Sequence, residues 1–497
     1  MSDRAAARSS RQHVVVIGGG VAGLSVAHAL RAQDAAREID VTVLERSARP
    51  GGNIRTEHLD GYVCEWGPNG FLDNAPDTLA LVRDLGLDAR LQPSDDRARR
   101  RFIFRAGRLH PLPGGPLDFI GSGLLSWSGK VRLAMEPFAR ARPEGDETIH
   151  AFATRRIGRE AADVLVDSMV SGVFGGNAHD LSLRACFPKM WHLETDHGGL
   201  VRALIARRRQ HPRRHGEAMG APLGRLTSFR DGAEELIRGL VARLGDVVRT
   251  GVDVQGLTAE HGRFRVGIAG DRPIDADAVV LASGSATTAR IVRALDAPLA
   301  ATLDAIPTAG MVVACVGYGA HRLPSPLDGF GYLVPRSEGL RTLGVLWDSS
   351  VYPGRAPHGH VLLRAMLGGA TDPEALALDD AQVVSVVRAE LQRAMGIDVT
   401  PDFVRIFRHP TGIPQYTVGH LDRVAHAEAR LAQWPGLALA GNAYRGVAIN
   451  ACIADASPVA ARVLAHCASR ASRAAVAAGE GQASGAKASR SARPVLR

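Results

Sequence analysis

The chain has 497 residues, of which 45% are hydrophobic, and its formal net charge is +9. This length is sufficient for two or three domains with hydrophobic cores, and the composition excludes a disordered or fibrous protein. Residues 1–11 carry a net charge of +2 and residues 468–497 a net charge of +5, which leaves the body nearly neutral. This distribution argues against nucleic acid as a partner. The absence of a secretory signal and of an apolar run of about 20 residues predicts a cytoplasmic protein.

The five cysteines are scattered along the chain and form no CxxC pair. Their spacing indicates neither a disulfide framework nor a zinc site, so we predict reduced thiols and no bound metal. The 18 histidines show no recognisable metal-ligand or dyad spacing, and we interpret them as satisfied or exposed imidazoles.

The first predicted elements form a βαβ unit. The run HVVVIGGGVAGLSVAHALRA passes from a β-branched strand through glycines into an amphipathic helix, and DVTVLERS follows as a second alternating strand. Gly18 permits a tight turn, Gly20 lets the backbone approach a pyrophosphate, and Gly23 allows close helix packing. The helix N-terminus offers free amides and a positive dipole end to the phosphates. Glu45 ends the second strand, where a carboxylate accepts hydrogen bonds from a ribose.

A second glycine pair follows this fingerprint in ERSARPGGNIRT, residues 45–56. Gly51 and Gly52 allow the chain to pass close beneath a long extended cofactor, and Arg46 and Arg49 can contact its adenosine or phosphates. At this point the sequence resembles the superfamily of flavin amine oxidases and protoporphyrinogen oxidases, in which this motif directly follows the fingerprint. The resemblance implies FAD as the cofactor. We predict noncovalent binding, because no His or Cys stands in a recognisable flavinylation motif.

Six further segments narrow the resemblance to the protoporphyrinogen oxidases. In order and spacing they match that family from about residue 13 to residue 466: EWGPNGFL (65–72), SGVFGGNAHDLSLRACFP (171–188), GFGYLVP (329–335), LRTLGVLWDSSVYPGRAP (340–357), IPQYTVGH (413–420) and AGNAYRGVAINACI (440–453). The resemblance implies an enzyme of haem biosynthesis that oxidises protoporphyrinogen IX to protoporphyrin IX. Three two-electron steps would transfer hydride to FAD, and dioxygen would reoxidise the flavin with release of hydrogen peroxide. We assign no side-chain general base, because the pyrrole protons can leave within the macrocycle or through water.

The resemblance also implies a porphyrinogen pocket. Arg101 matches an arginine that pairs with a substrate propionate, a role that suits a planar guanidinium. Asn69 matches a polar pocket residue, and Gly175 and Gly176 lie in a loop whose backbone faces the macrocycle. The apolar residues that hold the tetrapyrrole beside the flavin are matched by Leu333, Leu346 and Met366. By residue type alone, these three side chains would be interpreted as ordinary core.

Two later stretches are matched to the cofactor. Val254 is the candidate for a backbone contact to adenine, and Val252 would serve equally. The backbone of the last motif is expected to meet the pyrophosphate and the isoalloxazine through Gly441, Asn442, Val447, Ala448 and Ile449. Many bacterial members read INDC where this chain reads INAC, at residues 449–452. This departure favours backbone contacts over side-chain contacts at that position.

These patterns together predict an α/β protein with inserted lobes. The Rossmann-type FAD-binding domain is expected to be discontinuous, with residues 12–90, 226–306 and 425–467. We expect a helical lobe at residues 91–225, a substrate-binding α+β sheet lobe at 307–424 and a disordered basic tail at 468–497.

The helical lobe contains the stretch PLDFIGSGLLSWSGKVRLAMEPFARAR, residues 116–142. Its apolar side chains are followed by cations within the same stretch. The apolar residues are Leu117, Phe119, Ile120, Leu124, Leu125 and Trp127, and the cations are Lys130, Arg132, Arg140 and Arg142. Two interpretations remain open: an anchor on the cytoplasmic face of a membrane, as the resemblance implies, or a helix packed on the body of the enzyme. Peripheral attachment and an oligomer are both compatible with the sequence.

Several alternative functions share part of this pattern. A coproporphyrinogen III oxidase would use the same motifs with a wider, more cationic pocket for four propionates. Flavin amine oxidases generally place a lysine near the flavin in mid-chain, but the lysines here are Lys130, Lys189 and Lys487. Carotenoid desaturases share only the N-terminal motifs, and a non-catalytic flavin or porphyrin carrier would keep the cofactor fold without turnover.

Overall fold

The computed structural model describes residues 11–140, 144–210 and 224–489. The strands of its first half are β1 (Gln12–Ile17), β2 (Ile39–Leu44), β3 (Thr56–Leu59), β4 (Tyr62–Glu65), β5 (Phe71–Leu72), β6 (Leu91–Pro93), β7 (Phe102–Arg105), β8 (Arg108–Pro111), β9 (Leu226–Phe229) and β10 (Val248–Arg249). Those of the second half are β11 (Val254–Glu260), β12 (Arg263–Ile268), β13 (Ile274–Ala276), β14 (Ala278–Leu281), β15 (Thr308–Gly319), β16 (Gly331–Leu333), β17 (Thr342–Leu346), β18 (His360–Gly368), β19 (Phe403–Pro414) and β20 (Leu437–Leu439).

The α-helices cluster between residues 116 and 210 and are interspersed with strands in the rest of the described chain. They are Val21–Gln33, Pro76–Asp84, Pro116–Gly121, Trp127–Ala134, Ile149–Ile157, Arg159–Ala161, Asp167–Phe174, Leu183–Cys186, Pro188–His197, Leu200–Gln210, Glu234–Leu244, Ser285–Val292, Ala297–Asp304, Asp348–Val351, Asp380–Met395, His420–Leu431 and Ile449–Ser489. A π-helical turn, Ala162–Val166, joins two of them. Within the described residues, no helix is long and apolar enough to cross a membrane.

A parallel five-stranded sheet forms the centre of the first lobe. Its strands lie in the order β10-β2-β1-β14-β20. The strands come from three separate stretches of the chain. Val14 and Val16 pack into the core on one face of the sheet, and Val15 and Ile17 into the core on the other. Burial on both faces explains why β1 is a continuous β-branched run. The predicted α/β fold with a Rossmann-type unit is confirmed.

A seven-stranded sheet forms the second lobe, in the order β19-β15-β18-β17-β16-β7-β8. Its edge hairpin, β7–β8, comes from residues that we had assigned to the helical lobe. That boundary was wrong because β7 pairs with β16, more than 200 residues later, and local periodicity carries no trace of so distant a partner. One face of the sheet packs on the helix Asp380–Met395. On the other face, Ile103 of β7 packs on the helical lobe, whereas Cys315 and Leu362 pack on β4.

The last helix differs from the prediction. We expected disorder from residue 468, but the helix Ile449–Ser489 is continuous through that position. Alanine is the strongest helix former and is frequent in this segment. Arg470 also fastens the helix to the body, because its Nη2 lies 3.2 Å from Oδ1 of Asp277. Residues 490–497 of the predicted tail lie outside the described residues.

Candidate functional site

A cavity of about 420 Å³ lies at the carboxyl edge of the parallel sheet. It is lined by the turn after β1, by Glu45 and Arg46 after β2, and by Ala282–Thr287 after β14. Ligands of doubly wound folds bind at this edge, where successive loops diverge. The second glycine pair and residues of the last motif also line the cavity: Gly51, Gly52, Gly441, Asn442, Val447 and Ile449.

Glycine is needed at each of the three fingerprint positions for a different structural reason. Gly18 has φ = +115°, and a Cβ there would lie 2.7 Å from the carbonyl oxygen of Ala282. A Cβ on Gly23 would overlap the carbonyl oxygen of Gly18, so this glycine lets the helix approach the turn. At Gly20 a Cβ would meet no atom within 4 Å. Gly20 therefore borders open space in the cavity. This is expected where the protein backbone must come close to a cofactor.

Helix N-termini supply donors at this cavity. Gly20 and Gly284 are the N-caps of two helices that begin here. Neither helix has a capping side chain that accepts a hydrogen bond from its first amides. The first amides of such helices remain available to an anion. Ile449, the first residue of a third helix, also lines the cavity. This donor set fits a pyrophosphate.

Glu45 is held in place at the cavity by two backbone amides. Its Oε2 accepts a hydrogen bond of 2.8 Å from the amide of Gly19, and its Oε1 accepts one of 2.8 Å from Ser47. A carboxylate oxygen has two lone pairs, so acceptor capacity remains for ribose hydroxyls. The carboxylate is thus preoriented toward the cavity.

Arg49 is directed away from this cavity. It donates from Nη2 to the carbonyl oxygen of Gly52 at 3.2 Å and pairs with Glu234 at 3.2 Å. Burial lowers its pKa. Arg49 therefore braces the second glycine loop and is not among the residues that line the cavity, whereas Arg46 is. A contact between Arg49 and the cofactor remains a prediction.

Val252 and Val254 both line the cavity, so the adenine contact stays open between them. Val254 is buried, and its carbonyl oxygen accepts a hydrogen bond of 3.0 Å from Arg290. Ala448, the remaining residue of the predicted set, does not line the cavity. Its carbonyl oxygen instead accepts hydrogen bonds from Ala451 and Cys452 at the start of the last helix.

The predicted apolar pocket residues share one face of the seven-stranded sheet. Leu333 and Met366 each pair with Gly344, and Leu346 pairs with Arg364. Directly opposed residues and residues two apart point to the same face of a sheet. Leu333, Leu346 and Met366 are all half-buried. Pairing therefore brings together three side chains that are separated by up to 33 positions in the sequence.

The helix Asp167–Phe174 covers this face. A Cβ on Gly172 would overlap Cδ2 of Leu333, so the helix lies directly on that side chain. Gly175 ends the helix with φ = +54°, and a Cβ there would lie 2.8 Å from Sδ of Met311. Gly176 is equally confined, because its Cβ would lie 2.7 Å from Oε1 of Gln415. The two loop glycines are thus needed for close packing.

Arg101 lies at the edge of this face, immediately before β7. Its guanidinium lies over the ring of Phe330 at 5.0 Å, and burial lowers its pKa. No carboxylate among the described residues forms a salt bridge with it, in contrast to its neighbour Arg100, which pairs with Asp328. The Arg101 guanidinium is therefore available to pair with an anion.

Asn69 lies in the loop between β4 and β5. Its Nδ2 is buried and has no hydrogen-bond partner among the described residues. Buried donors are normally satisfied, so this atom is suited to a ligand. The preceding residue, Pro68, lines the cavity, which places Asn69 beside it.

Two functional contributors were missed by the sequence analysis. Arg364 is fully buried, with Nε 3.0 Å from Oδ2 of Asp348. Its Nη1 donates a hydrogen bond of 2.7 Å to the carbonyl oxygen of Gly67, and it thereby holds the loop that carries Asn69. The signal was an arginine within the apolar strand GHVLLRAML, since charged residues are buried only when paired.

Tyr416 is the second. Its hydroxyl connects two backbone groups of the last motif, and its ring stacks on His420 with centroids 3.8 Å apart. Burial lowers the pKa of His420 to about 4, so the ring is neutral at pH 7. The sequence signal was the tyrosine of IPQYTVGH, quoted above only as part of a matching segment.

Comparison with known proteins agrees with this geometry. Residues 21–464 match the family model for flavin containing amine oxidoreductase. The chain is 34% identical to the protoporphyrinogen oxidase of Bos taurus, covering 91% of this chain and 98% of that protein. It is 28% identical to the coproporphyrinogen III oxidase of Bacillus subtilis (strain 168), with coverage of 89% and 96%.

A solved structure shares the whole architecture. It is the crystal structure of a provisionally assigned protoporphyrinogen oxidase from Exiguobacterium sp. 255-15, which superimposes with a TM-score of 0.79 at 25% identity. The match covers 91% of this chain and 98% of that one. The family match spans most of the chain and includes both lobes and most of the residues that line the cavity, although Gly18 and Gly20 lie just before it. The chain therefore belongs to the family of flavin-containing amine oxidoreductases.

Proposed function

We propose that the chain is an FAD-dependent protoporphyrinogen oxidase of haem biosynthesis. It oxidises protoporphyrinogen IX to protoporphyrin IX by six electrons, with dioxygen as the acceptor and hydrogen peroxide as the second product. One observation carries the proposal: Arg101 has no carboxylate partner among the described residues and lies at the edge of the apolar face that carries Leu333, Leu346 and Met366. An apolar face with one anion-recognition group at its edge suits a macrocycle with acidic side chains.

The pocket residues have complementary tasks in this proposal. Leu333, Leu346 and Met366 contact the apolar macrocycle, and the guanidinium of Arg101 pairs bidentately with a propionate. The Nδ2 of Asn69 supplies a further donor that lacks a partner among the described residues. These contacts hold the substrate in one orientation beside the cofactor cavity.

The chain's part in the reaction is binding, orientation and exclusion of water. The helix amides at Gly20 and Gly284 would hold the FAD pyrophosphate, and Glu45 would accept hydrogen bonds from a ribose. Bound noncovalently, FAD supplies the hydride acceptor that no side chain can provide. No side chain is assigned as a general base, since the pyrrole protons leave through the macrocycle or through water.

The relatives support this substrate over two others. Protoporphyrinogen oxidases of Bos taurus and Oryza sativa are 34% and 32% identical to the chain, against 28% for the coproporphyrinogen III oxidase of Bacillus subtilis. A substrate with four propionates calls for a more cationic pocket than the predicted pocket residues provide, since they contribute the single cation Arg101. An amine substrate is disfavoured because no lysine lies between Lys189 and Lys487.

Turnover with matched substrates tests the proposal. Purified flavoprotein is mixed in air with protoporphyrinogen IX, coproporphyrinogen III or a polyamine, and porphyrin fluorescence and hydrogen peroxide are followed. We expect kcat/KM to be highest for protoporphyrinogen IX and no peroxide from the polyamine. Preference for coproporphyrinogen III would reassign the substrate, and no turnover of either porphyrinogen would refute the oxidase assignment.

We also propose that the helical lobe rests on a membrane surface. Several large apolar side chains between residues 117 and 138 are exposed, among them Leu117 (83%), Trp127 (69%) and Phe138 (83%). Such a cluster is unusual on a surface that faces only water, and interfacial binding requires one. The sequence analysis had included Leu124 and Leu125 in this surface, but both are buried against Ile103 of β7. Their removal from the set leaves the exposed residues as the candidate contact.

A further inference from the structure

Three potential metal ligands converge in the helical lobe, away from the cofactor cavity. They are His150, Asp163 and His179, whose ligand atoms all lie within 4.8 Å of one another. The Nε2 of His150 lies 2.6 Å from Oδ1 of Asp163, and the rings of His150 and His179 stack with centroids 3.7 Å apart. The three residues come from different local segments, which is why their sequence spacing showed no metal motif.

The backbone holds these segments together without help from the three side chains. The amide of His150 donates to the carbonyl oxygen of Ala178 at 2.9 Å, and the amide of Ile149 donates to the carbonyl oxygen of Leu181 at 2.9 Å. Asp163 lies in the π-helical turn Ala162–Val166, a feature often found at functional sites. The ligand positions are therefore preorganised.

We propose that His150, Asp163 and His179 bind a divalent transition-metal ion, with Zn²⁺ as the preferred species. Two imidazoles and one carboxylate are ligands that Zn²⁺ accepts, with water in the fourth position. Ligand atoms on one tetrahedral Zn²⁺ lie about 3.3 Å apart. Binding requires the stacked rings of His150 and His179 to rotate until their nitrogen lone pairs converge on one ion, which then takes the place of the hydrogen bond between His150 and Asp163.

The surroundings agree with this assignment. Burial, together with the neighbouring ring of His150 and the cation of Arg336, lowers the pKa of His179. The Nδ1 of His150 lies 3.5 Å from Oγ1 of Thr154, and ligand histidines commonly use their second nitrogen in this way. The cation of Arg159 lies 3.8 Å from Asp163 and disfavours the binding of a metal ion by charge repulsion. The carboxylate of Asp167 favours it by charge attraction.

The site would act on the loop that covers the apolar face. His179 follows Gly176 by three residues, and the loop joins the helix Asp167–Phe174 to the β-bridge between Thr148 and Ser182. A bound ion would tie this loop to the helix that begins at Ile149. We therefore expect the metal to stabilise the chain independently of flavin or substrate.

Zinc titration of the full flavoprotein, with any affinity tag removed and after chelator treatment, tests the proposal. We expect the wild type to bind one equivalent of Zn²⁺ by calorimetry and to gain thermal stability. His179→Ala and Asp163→Asn should bind at least ~100-fold more weakly, since loss of even an outer-shell partner costs about 10–100-fold. His192→Ala, an exposed histidine of the same lobe, serves as the matched control and should bind like the wild type.

Two outcomes would overturn the proposal: no saturable Zn²⁺ binding by the wild type, or equal affinity in wild type and both ligand variants. Thermal unfolding without metal establishes that the variants are folded. A Co²⁺ titration of the wild type gives a second readout, because the visible absorption of Co²⁺ depends on its ligand geometry. A spectrum identical to that of hexaaqua Co²⁺ would also contradict the site.

Discussion

The hydroxyl of Tyr416 donates a hydrogen bond of 2.6 Å to the carbonyl oxygen of Asn442. The hydroxyl oxygen of Tyr416 also accepts a hydrogen bond of 2.8 Å from the amide of Gly446. Asn442 lines the cofactor cavity, and Gly446 precedes the start of the last helix. One buried hydroxyl therefore sets the shape of the loop expected to meet the flavin.

Replacement of this hydroxyl should weaken cofactor binding. In Tyr416→Phe the amide of Gly446 loses its acceptor, and an unsatisfied buried donor costs about 1–3 kcal/mol. If half of that cost falls on the bound state, the Kd for FAD rises about 2- to 10-fold. Flavin fluorescence measures the Kd. The comparison is His420→Gln, which removes the ring stacked on Tyr416 but keeps the hydroxyl of Tyr416. An unchanged Kd in Tyr416→Phe would contradict the positioning role.

The fingerprint glycines should fail in different ways. Gly20→Val projects its side chain into the cavity without a protein clash, so we expect a folded, stable and colourless protein. Gly23→Val overlaps the carbonyl oxygen of Gly18 and should lose stability as well as flavin. Circular dichroism and the flavin spectrum separate the two effects. A yellow Gly20→Val protein with full flavin content would exclude this cavity as the pyrophosphate site.

Arg101 should act on substrate binding rather than on the chemical step. Its contact to a propionate exists in ground and transition states alike, so Arg101→Ala should raise KM with little change in kcat. A charged hydrogen bond contributes about 1.5–3 kcal/mol, which corresponds to roughly a 10- to 100-fold increase in KM. Arg100→Ala, which removes an exposed ion pair with Asp328, is the adjacent control. A fall in kcat at constant KM would disprove the anchoring role.

Liposome flotation tests the membrane surface. The double variant Leu117→Ser, Phe138→Ser should reduce flotation with anionic liposomes, because both side chains are 83% exposed and are not needed for folding. Val404→Ser, an exposed apolar position on β19, should float like the wild type. If the wild type stays at the bottom of the gradient at both low and high salt, the membrane proposal fails.

Local sequence patterns predicted those parts of the site whose residues lie close together in the sequence. The turn after β1, the adjoining helix and Glu45 follow one another within about 30 residues, and each has its own sequence signal. The structure places Gly18, Gly20 and Glu45 together at one cavity. The α/β fold was predicted for the same reason, because the βαβ unit formed by β1, the first helix and β2 is continuous in sequence.

Features that depend on distant partners were harder to predict. Leu124 and Leu125 have the composition of a membrane anchor, but Ile103 of β7 buries them. The direction of Arg49 depends on Glu234, and the position of β7 depends on β16. In each case the deciding neighbour lies elsewhere in the chain, so no local pattern records it.

Anaerobic reduction tests the central claim most directly. Excess flavoprotein is mixed with a limiting amount of protoporphyrinogen IX in the absence of oxygen, and flavin and porphyrin absorbance are recorded together. Removal of six electrons as hydride predicts about three flavins bleached for each protoporphyrin formed, followed by full return of the oxidised flavin spectrum in air. Flavin that stays oxidised while protoporphyrinogen IX is bound would show that the chain is a carrier and not an oxidase.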